Sequence, residues 1–156
     1  MIIRDATPAD AIQMADLINQ VIAIGGTTAH QHALTPEAIR HYNIDGPDCH
    51  ACVLAEVAGQ VTGWQSLAHW MDGDHIGTFV RPGLQAKGTG RAMFARTLTH
   101  AVRLGLPAIH AWIRADNVPG LAFYGRLGFV TYGGDPSFSL DDGQIVGRIF
   151  RRYDVV

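Results

Sequence analysis

The sequence of 156 residues predicts one mixed α/β domain, classed as α/β or α+β, with a central sheet of about seven strands flanked by four helices. Three observations predict it: apolar residues recur at helical spacing, strand-like runs flank short turns, and a glycine-rich segment joins a strand to a helix. The predicted element order is β-α-α-β-β-β-α-β-α-β-β. No repeat or linker interrupts residues 1–156, so we expect a single domain.

The first third of the chain predicts one strand and two helices. Residues 2–4 form a short apolar run, and residues 7–10, Thr-Pro-Ala-Asp, have the capping threonine and early proline that open a helix. Glycines 25–26 end that helix. Residues 35–37 repeat the opening signal for a short helix towards Tyr42. The first helix has its apolar residues at helical spacing, namely Met14, Leu17, Ile18, Val21 and Ile22.

The remaining elements alternate in a way that predicts both hairpins and a crossover. The strand-like runs cover residues 51–57, 60–70, 74–80, 108–113, 129–132 and 144–153. Helices are predicted after residue 88 and over residues 117–127. The first two of these strands flank Ala58-Gly59 and are expected to form a hairpin. The run from 74 to 113, strand-helix-strand, predicts a parallel pair.

Charge is distributed unevenly along the chain. The net charge of −2 argues against a general nucleic-acid or anionic-membrane binder. Residues 75–134, however, contain seven Arg or Lys against one acid, a net charge of +6. The rest of the chain has five bases and thirteen acids, a net charge of −8. The middle of the protein is therefore a candidate anion site.

The sequence predicts a cytoplasmic protein that binds neither membrane nor metal. No apolar run approaches the ~18 residues of a membrane span, and the polar start lacks the apolar stretch of a signal peptide. Cys49 and Cys52 have C-x-x-C spacing, but no second pair completes a four-ligand zinc site. We expect one loop thiol and one strand thiol with no joint role.

A glycine-rich segment after the strand at 74–80 is a candidate phosphate site. Backbone N–H groups in such a segment, and at the start of the helix that follows, favour anions. Lys87 and Arg91 add full charges. The segment fits neither the P-loop, because Lys87 precedes its glycine, nor the dinucleotide motif, because Met93 occupies a glycine position. Taken alone, Gly88 and Gly90 are equally well explained as a tight turn.

Four segments in order along the chain together resemble the GCN5-related N-acetyltransferases. Residues 85–90 match that family's Q-x-x-G-x-G, and residues 80–82, Val-Arg-Pro, precede it as V-x-P does there. Residues 117–129 match N-x6-Y-x-x-L-G-F, and residues 3–10 resemble its common opening. The resemblance implies the family's fold.

Within that family the chain most resembles the phosphinothricin and amino-acid acetyltransferase group. It shares Thr27-Thr28 after the first helix, Leu-Thr-Pro-Glu at residues 34–37, and Val-Leu-Ala-Glu-Val-Ala-Gly-Gln-Val-x-Gly at residues 53–63. One departure is the short segment between Trp70 and His75, where a loop that shapes the acceptor site is reduced.

The resemblance implies acetyl-CoA as co-substrate, held between the strands at 74–80 and 108–113. Backbone groups of Phe79 and Val80 would hydrogen-bond the pantetheine arm, and Asn117 would do so from the start of its helix. Asn117 is also explained as an ordinary helix N-cap. The pyrophosphate would be held by N–H groups of Gln85, Ala86, Lys87, Gly88, Thr89, Gly90 and Arg91.

Tyr124 and His75 are the implied catalytic residues. Tyr124 would meet the thioester sulfur; full proton transfer from a tyrosine to a thiolate is uphill by about 1.5 pKa units, so a hydrogen bond is the expected role. His75 occupies the position of the family's glutamate base. With a pKa near 6.5 it suits an α-amine near 8 better than a lysine-like amine near 10.4, directly or through water. A partly exposed strand residue explains His75 equally well.

These residues predict direct transfer of an acetyl group to the primary amine of an amino-acid-like small molecule. Two alternatives remain open: a weakly catalytic acyl-CoA sensor, and an enzyme acting on protein N-termini or tRNA. A homodimer is expected. The candidate acceptor residues are Thr28, His30 and Trp64, with His32 and Trp70 as further candidates.

Overall fold

A seven-stranded mixed sheet organises the chain in the computed structural model, which describes residues 1–84 and 88–156. The strands are β1 Ile2–Asp5, β2 Cys49–Val57, β3 Gln60–Trp70, β4 Gly73–Val80, β5 Ala108–Arg114, β6 Val130–Asp135 and β7 Arg148–Asp154. Their order in the sheet is β1-β2-β3-β4-β5-β7-β6. Neighbours are antiparallel except for β4 and β5, which are parallel.

Four helices flank this sheet, as the sequence predicts. They are α1 Ala11–Ile24, α2 Pro36–Ile39, α3 Thr89–Arg103 and α4 Val118–Leu127. A 3₁₀ turn, Pro8–Asp10, leads into α1, and a π-helical turn, Arg40–Ile44, extends α2. The predicted fold class and element order are therefore confirmed.

The start of α1 is fixed by the carboxylate of Asp10. This carboxylate accepts the backbone N–H of Thr7 at 2.7 Å, which completes a capping box. It also accepts two hydrogen bonds from the guanidinium of Arg4, at 2.9 and 2.8 Å. Because both partners hold its charged form, the pKa of Asp10 is lowered, chiefly by Arg4.

The core has one layer on each face of the sheet. Helices α1 and α2 cover one face, where Met14, Leu17, Ile18, Ile39, Leu54 and Trp64 are buried together. Helices α3 and α4 cover the other, where Leu67, Ile76, Phe94, Tyr124 and Phe129 are buried together. We call these the α1 face and the α3 face. Because helices cover both faces, β3 is buried over almost its whole length, including the polar residues Thr62, Gln65 and Ser66.

The parallel strands β4 and β5 meet at one residue pair only. His75 is opposite His110, and no further pair joins these two strands within the described residues. By contrast, β5 pairs with β7 over seven residues. The sheet therefore opens between β4 and β5 beyond His75.

Two details differ from the sequence prediction. The strand predicted at 144–153 begins only at Arg148, because residues 138–147 turn back on themselves: Leu140 accepts from Gly143, and Gly147 has a φ of +72°. Cys49 begins β2 and does not lie in a loop, while Cys52 is buried in the core; both thiols are free. Among the described residues, none of the helices has the length and apolarity needed to cross a bilayer.

Candidate active site

A cleft of about 820 Å³ lies where β4 and β5 separate. Its walls come from β4 and β5, from the start of α3, from α4 along its length, from the end of α1 and the segment that follows it, and from Arg148 of β7. Of the residues predicted for the site, the cleft is lined by Thr28, His30, Phe79, Val80, Gly88, Gly90, Arg91, Asn117 and Tyr124. Elements from both faces of the sheet contribute to its lining: α1 and the segment after it on one face, α3 and α4 on the other.

The start of α3 forms one end of the cleft. Gly88 is the N-cap and has a left-handed φ of +89°, and a Cβ there would meet no atom of the described residues within 4 Å. Gly90 is required by packing, because a Cβ there would lie 2.5 Å from Cε1 of Phe123 in α4. Thr89 is buried with its hydroxyl towards Met1 Sδ, and its side chain does not line the cleft. The predictions for Gln85, Ala86 and Lys87 fall outside the described residues.

The positive segment predicted at 75–134 is only partly directed at the cleft. Three of its arginines form ion pairs: Arg81 with Asp16 at 2.7 Å, Arg96 with Asp5 at 2.8 Å, and Arg114 with Asp116 at 2.7 Å. Arg91 and Arg126 line the cleft, and neither forms a salt bridge within residues 1–84 and 88–156. These two are the positive charges available to an anion near the α3 and α4 helices.

Asn117 joins α4 to the segment after α1. Its Oδ1 accepts the backbone N–H of Gly120 at 3.0 Å, which is the N-cap interaction expected of asparagine. Its Nδ2 donates to the backbone oxygen of Thr27 at 3.1 Å. One side chain therefore caps the helix and holds the opposite wall of the cleft.

Thr28 is held in that wall by a buried arginine. Arg114 Nη1 donates to the Thr28 backbone oxygen at 2.9 Å, while its other nitrogens bind Asp116. The Thr28 hydroxyl accepts the backbone N–H of His30 at 3.2 Å. Thr28 and His30 thus lie where the acceptor residues are expected, Thr28 buried and His30 exposed.

Tyr124 belongs to a chain of buried polar side chains on the α3 face. Its hydroxyl donates to Oγ1 of Thr78 in β4 at 2.9 Å. The same oxygen accepts from Nε2 of Gln65 at 3.0 Å, and Gln65 Oε1 accepts from the hydroxyl of Thr97 at 2.6 Å. Burial raises the pKa of Tyr124 to about 12, so its phenol is protonated at neutral pH.

His75 lies beside the cleft in an aromatic cluster on the α1 face. Its ring is 5.0 Å from that of Trp70, 4.9 Å from Trp112 and 5.3 Å from His110. Of these, Trp112 lines the cleft, whereas His75 does not. Burial, followed by the neighbouring His110, lowers the pKa of His75 to about 4. This pKa is lower than the ordinary histidine value near 6.5, so the imidazole of His75 is neutral at pH 7.

Trp64 does not belong to the acceptor wall, contrary to the prediction. Its side chain is 1% exposed, packs against Phe79 with ring centres 4.6 Å apart, and donates from Nε1 to the Met14 backbone oxygen at 3.1 Å. The indole fills the core under α1 because its N–H finds a partner there. His32 and Trp70 likewise do not line the cleft.

Sequence reasoning missed three polar residues at this site. Thr78 was discoverable, since strand alternation places it on the opposite face from His75, towards Tyr124. Gln65 and Arg148 gave no such signal. Arg148 is one of three arginines in β7, and only the tertiary structure places it on the cleft while Arg152 pairs with Asp154 at 2.7 Å.

A separate group of metal-ligand types lies outside the cleft. His50 Nε2 is 2.7 Å and His69 Nδ1 is 3.3 Å from Oδ1 of Asp74. The three ligand atoms lie within 4.8 Å of one another, at the end of β2, β3 and β4 near the β3–β4 turn. None of the three lines the cleft.

Comparison with curated proteins gives relatives of two kinds. Mycothiol acetyltransferase of Streptomyces bingchenggensis is 38% identical over 86 residues, 51% of this chain and 27% of its own length. The chain thus spans about a quarter of that relative. L-methionine sulfoximine/L-methionine sulfone acetyltransferase of Salmonella typhimurium is 24% identical over 157 aligned residues, 96% of this chain and 92% of its own length.

Solved structures share the fold. A GNAT superfamily phosphinothricin acetyltransferase from Sinorhizobium meliloti, solved in complex with AcCoA, has a TM-score of 0.82 and 17% identity. The alignment covers 98% of this chain and 87% of that one. The family match itself covers residues 18–129, from within α1 through α4 to the end of the Tyr124 motif, and so includes all of the residues that line the cleft except Arg148. On that match, the chain belongs to the acetyltransferase (GNAT) family.

Proposed function

We propose that the protein moves an acetyl group from acetyl-CoA to the primary amine of a small, amino-acid-like molecule, by direct transfer in a ternary complex. The main supporting observation is a cleft lined by elements from both faces of the sheet, with Tyr124 among its lining residues on the α3 face. A donor entering from one face and an acceptor from the other meet without a covalent enzyme intermediate. Family membership and the acetyltransferase relatives support this function.

The donor is proposed to occupy the gap between β4 and β5. Beyond His75 the edge of β4 has no strand partner on the β5 side, so backbone groups of Phe79 and Val80 are available to amides of a pantetheine arm. The first N–H groups of α3 have no acceptor within the helix and favour a pyrophosphate. Arg91 and Arg126 add positive charge on the same side.

In the proposed reaction the amine nitrogen attacks the thioester carbonyl carbon, the C–N bond forms and the C–S bond breaks. The departing thiolate must receive a hydrogen bond or a proton. The pKa of Tyr124, raised by burial to about 12, lies above the ordinary thiol value near 8.5, so full proton transfer to a thiolate is unfavourable. Tyr124 therefore acts by hydrogen bonding. Because hydroxyl hydrogens rotate, the Thr78 hydroxyl can donate to Tyr124 instead of accepting from it. The Tyr124 hydrogen is then available to the thiolate.

The proton lost by the amine is proposed to leave through water or His75. With a pKa of about 4, His75 is a neutral hydrogen-bond acceptor at pH 7 and a weak base. The acceptor must therefore bind largely as a free amine, which favours an α-amine over a lysine-like amine because the α-amine has the lower pKa. Thr28 and His30 would lie beside it on the α1 face.

A small acceptor is also supported by the Salmonella relative, whose name specifies methionine sulfoximine and methionine sulfone. The net charge of −2 disfavours a nucleic-acid substrate. We further propose that the protein acts in the cytoplasm as a homodimer, without metal or membrane.

The test is release of free thiol from acetyl-CoA by the purified protein across a panel of acceptors. The panel contains α-amino acids, polyamines, a peptide with a free N-terminus and tRNA. We expect turnover with amino acids that rises with pH as the α-amine loses its proton.

Tight acetyl-CoA binding with no turnover on any acceptor would indicate a sensor instead. Activity confined to the peptide, or to tRNA with strong salt dependence, would favour the corresponding macromolecular substrate. Each result contradicts the proposal in a distinct way.

A further inference from the structure

Arg148, at the start of β7, carries a buried donor with nothing to bind. Its Nε is fully enclosed and has no hydrogen-bond partner, and it forms no salt bridge within the part of the chain that the structure describes. Leaving a buried donor unpaired is costly, and more so for a charged group. Burial accordingly lowers the pKa of Arg148, which still remains a cation.

The guanidinium is held in place by aromatic rings instead of carboxylates. Its central carbon lies 4.0 Å from the ring centre of Phe138, 4.7 Å from that of Trp112 and 5.7 Å from that of Phe150. Contacts of this kind hold the guanidinium in place; Nε is enclosed, whereas the two terminal Nη groups are not enclosed and make no hydrogen bond within the described residues. The guanidinium of Arg148 is therefore a cation in a fixed position that lines the cleft and is not paired with any carboxylate of the described residues.

The position of Arg148 relates it to the acceptor side. It lines the cleft on the α1 face and shares two indoles with His75: Arg148 lies 5.9 Å from the Trp70 ring and 4.7 Å from the Trp112 ring, and His75 lies 5.0 and 4.9 Å from them. The positive groups suited to pyrophosphate, Arg91 and the first turn of α3, approach the cleft from the α3 face.

We propose that Arg148 binds the carboxylate of the acceptor, which makes α-amino acids, and not simple amines, the substrate class. This inference rests on the proposed acetyl transfer. In an α-amino acid the amine and carboxylate are attached to one carbon, so a carboxylate on Arg148 holds the amine nearby, inside the cleft between β4 and β5. Arginine is suited to this because it binds carboxylates through two parallel N–H···O bonds.

The decisive comparison is between an amino acid and its amide. L-phenylalanine and L-methionine are assayed against their α-amides with acetyl-CoA as donor. The amide has the more reactive amine, so preference for the acid reports recognition of the carboxylate. We expect kcat/KM for the acids to exceed that for the amides by about tenfold or more.

Variants then assign that preference to Arg148. We expect Arg148→Gln to remove the preference, with KM raised more for the acids than for the amides and the Kd for acetyl-CoA changed less than about threefold. Arg148→Lys, which keeps the charge but not the paired donors, should recover part of the preference. Arg152→Gln is the matched control, since Arg152 lies on the same strand but pairs with Asp154, and it should behave as the original protein.

Three results would overturn the proposal: equal use of acid and amide by the original protein, an unchanged preference in Arg148→Gln, or a large loss of acetyl-CoA affinity in that variant. The first result does not depend on whether Arg148→Gln folds. Binding of the acids and amides to the acetyl-CoA complex, followed by tryptophan fluorescence, tests recognition even without turnover. Carboxylate-selective binding with no turnover would contradict acetyl transfer and leave the Arg148 assignment standing.

Discussion

The surroundings of Tyr124 keep its phenolic hydroxyl protonated. The phenol is buried, so its charged form is disfavoured, and its partner Thr78 is in turn fixed by Gln65, whose own amide oxygen is occupied by Thr97. Because Gln65 donates to Thr78, one hydroxyl hydrogen of the Thr78–Tyr124 pair remains for the cleft: that of Thr78 when Tyr124 donates to Thr78, and that of Tyr124 when the bond between them is reversed. The arrangement supports hydrogen-bond donation and opposes ionisation.

Tyr124→Phe should therefore lower kcat by at least about tenfold, the value of one hydrogen bond to a developing charge. The Kd for acetyl-CoA should change less than about twofold, because the ring and its packing remain. Steady-state kinetics and equilibrium binding measure the two quantities. Tyr42→Phe is the control, since Tyr42 is exposed and outside the cleft. A kcat within about twofold of the original would remove Tyr124 from the mechanism.

Prediction from sequence at this scale succeeds where a residue belongs to a local motif. Asn117 and Tyr124 are seven positions apart on one helix and both line the cleft. Trp64 and Arg148 show the limit. An indole or a guanidinium can either line a pocket or pack in the interior. Which of the two it does depends on residues distant in the sequence, Met14 for Trp64 and Trp112 for Arg148.

At the scale of elements, α4 and the segment after α1 are coupled through Asn117. The cap on Gly120 stabilises the helix, and the bond to Thr27 positions the opposite wall. Both functions come from one amide, so an ordinary N-cap also shapes the cleft.

Replacing Asn117 by Ala should cost about 1 kcal/mol of stability through the lost cap. It should also weaken acetyl-CoA binding by about threefold to tenfold, since the wall at Thr27 is released. Thr35→Ala is the matched control: Thr35 caps α2 through Ala38 at 3.1 Å and lies outside the cleft. Thermal unfolding should show similar losses for both, whereas calorimetric titration should show weaker binding for Asn117→Ala alone. Equal binding by both variants would contradict the coupling.

The elements themselves were largely predictable, because periodicity and turn residues are local. All seven strands and four helices occur in the predicted order. The errors lie where local signals conflict with tertiary pairing. Residues 144–147 have a strand-like composition, yet β7 can pair with β5 only from Arg148, opposite Arg114. Likewise, nothing local shows that β4 and β5 share a single pair.

For the whole molecule, the lowered pKa of His75 links folding to pH. Its pKa is about 4 when folded and about 6.5 in an unfolded chain, so between these values the unfolded state binds more protons. Stability from this group is complete above pH ~6.5 and is lost as the pH falls towards 4. Asp5, whose pKa is lowered to about 2 chiefly by Arg96, extends the loss below pH ~4.

We therefore expect the free energy of unfolding to decrease between pH 6.5 and 4, with His75 contributing a slope of at most about one proton. Urea unfolding at several pH values measures this slope. His75→Gln should flatten it over that interval, whereas His32→Gln, a change in an exposed loop, should not. The same slope in the original protein and in His75→Gln would show that other groups cause the pH dependence.

The single pair between His75 and His110 has a mechanical consequence. Strands β1 to β4 form one half of the sheet and β5 to β7 the other. Few backbone hydrogen bonds join the two halves, although such bonds are what make a sheet rigid. The distance between the two halves depends instead on side-chain hydrogen bonds, such as those from Tyr124 to Thr78 and from Arg114 to Thr28. A ligand bound along β4 would supply the missing contacts between β4 and β5. Ligand binding should therefore reduce motion between these two strands more than in any other part of the molecule.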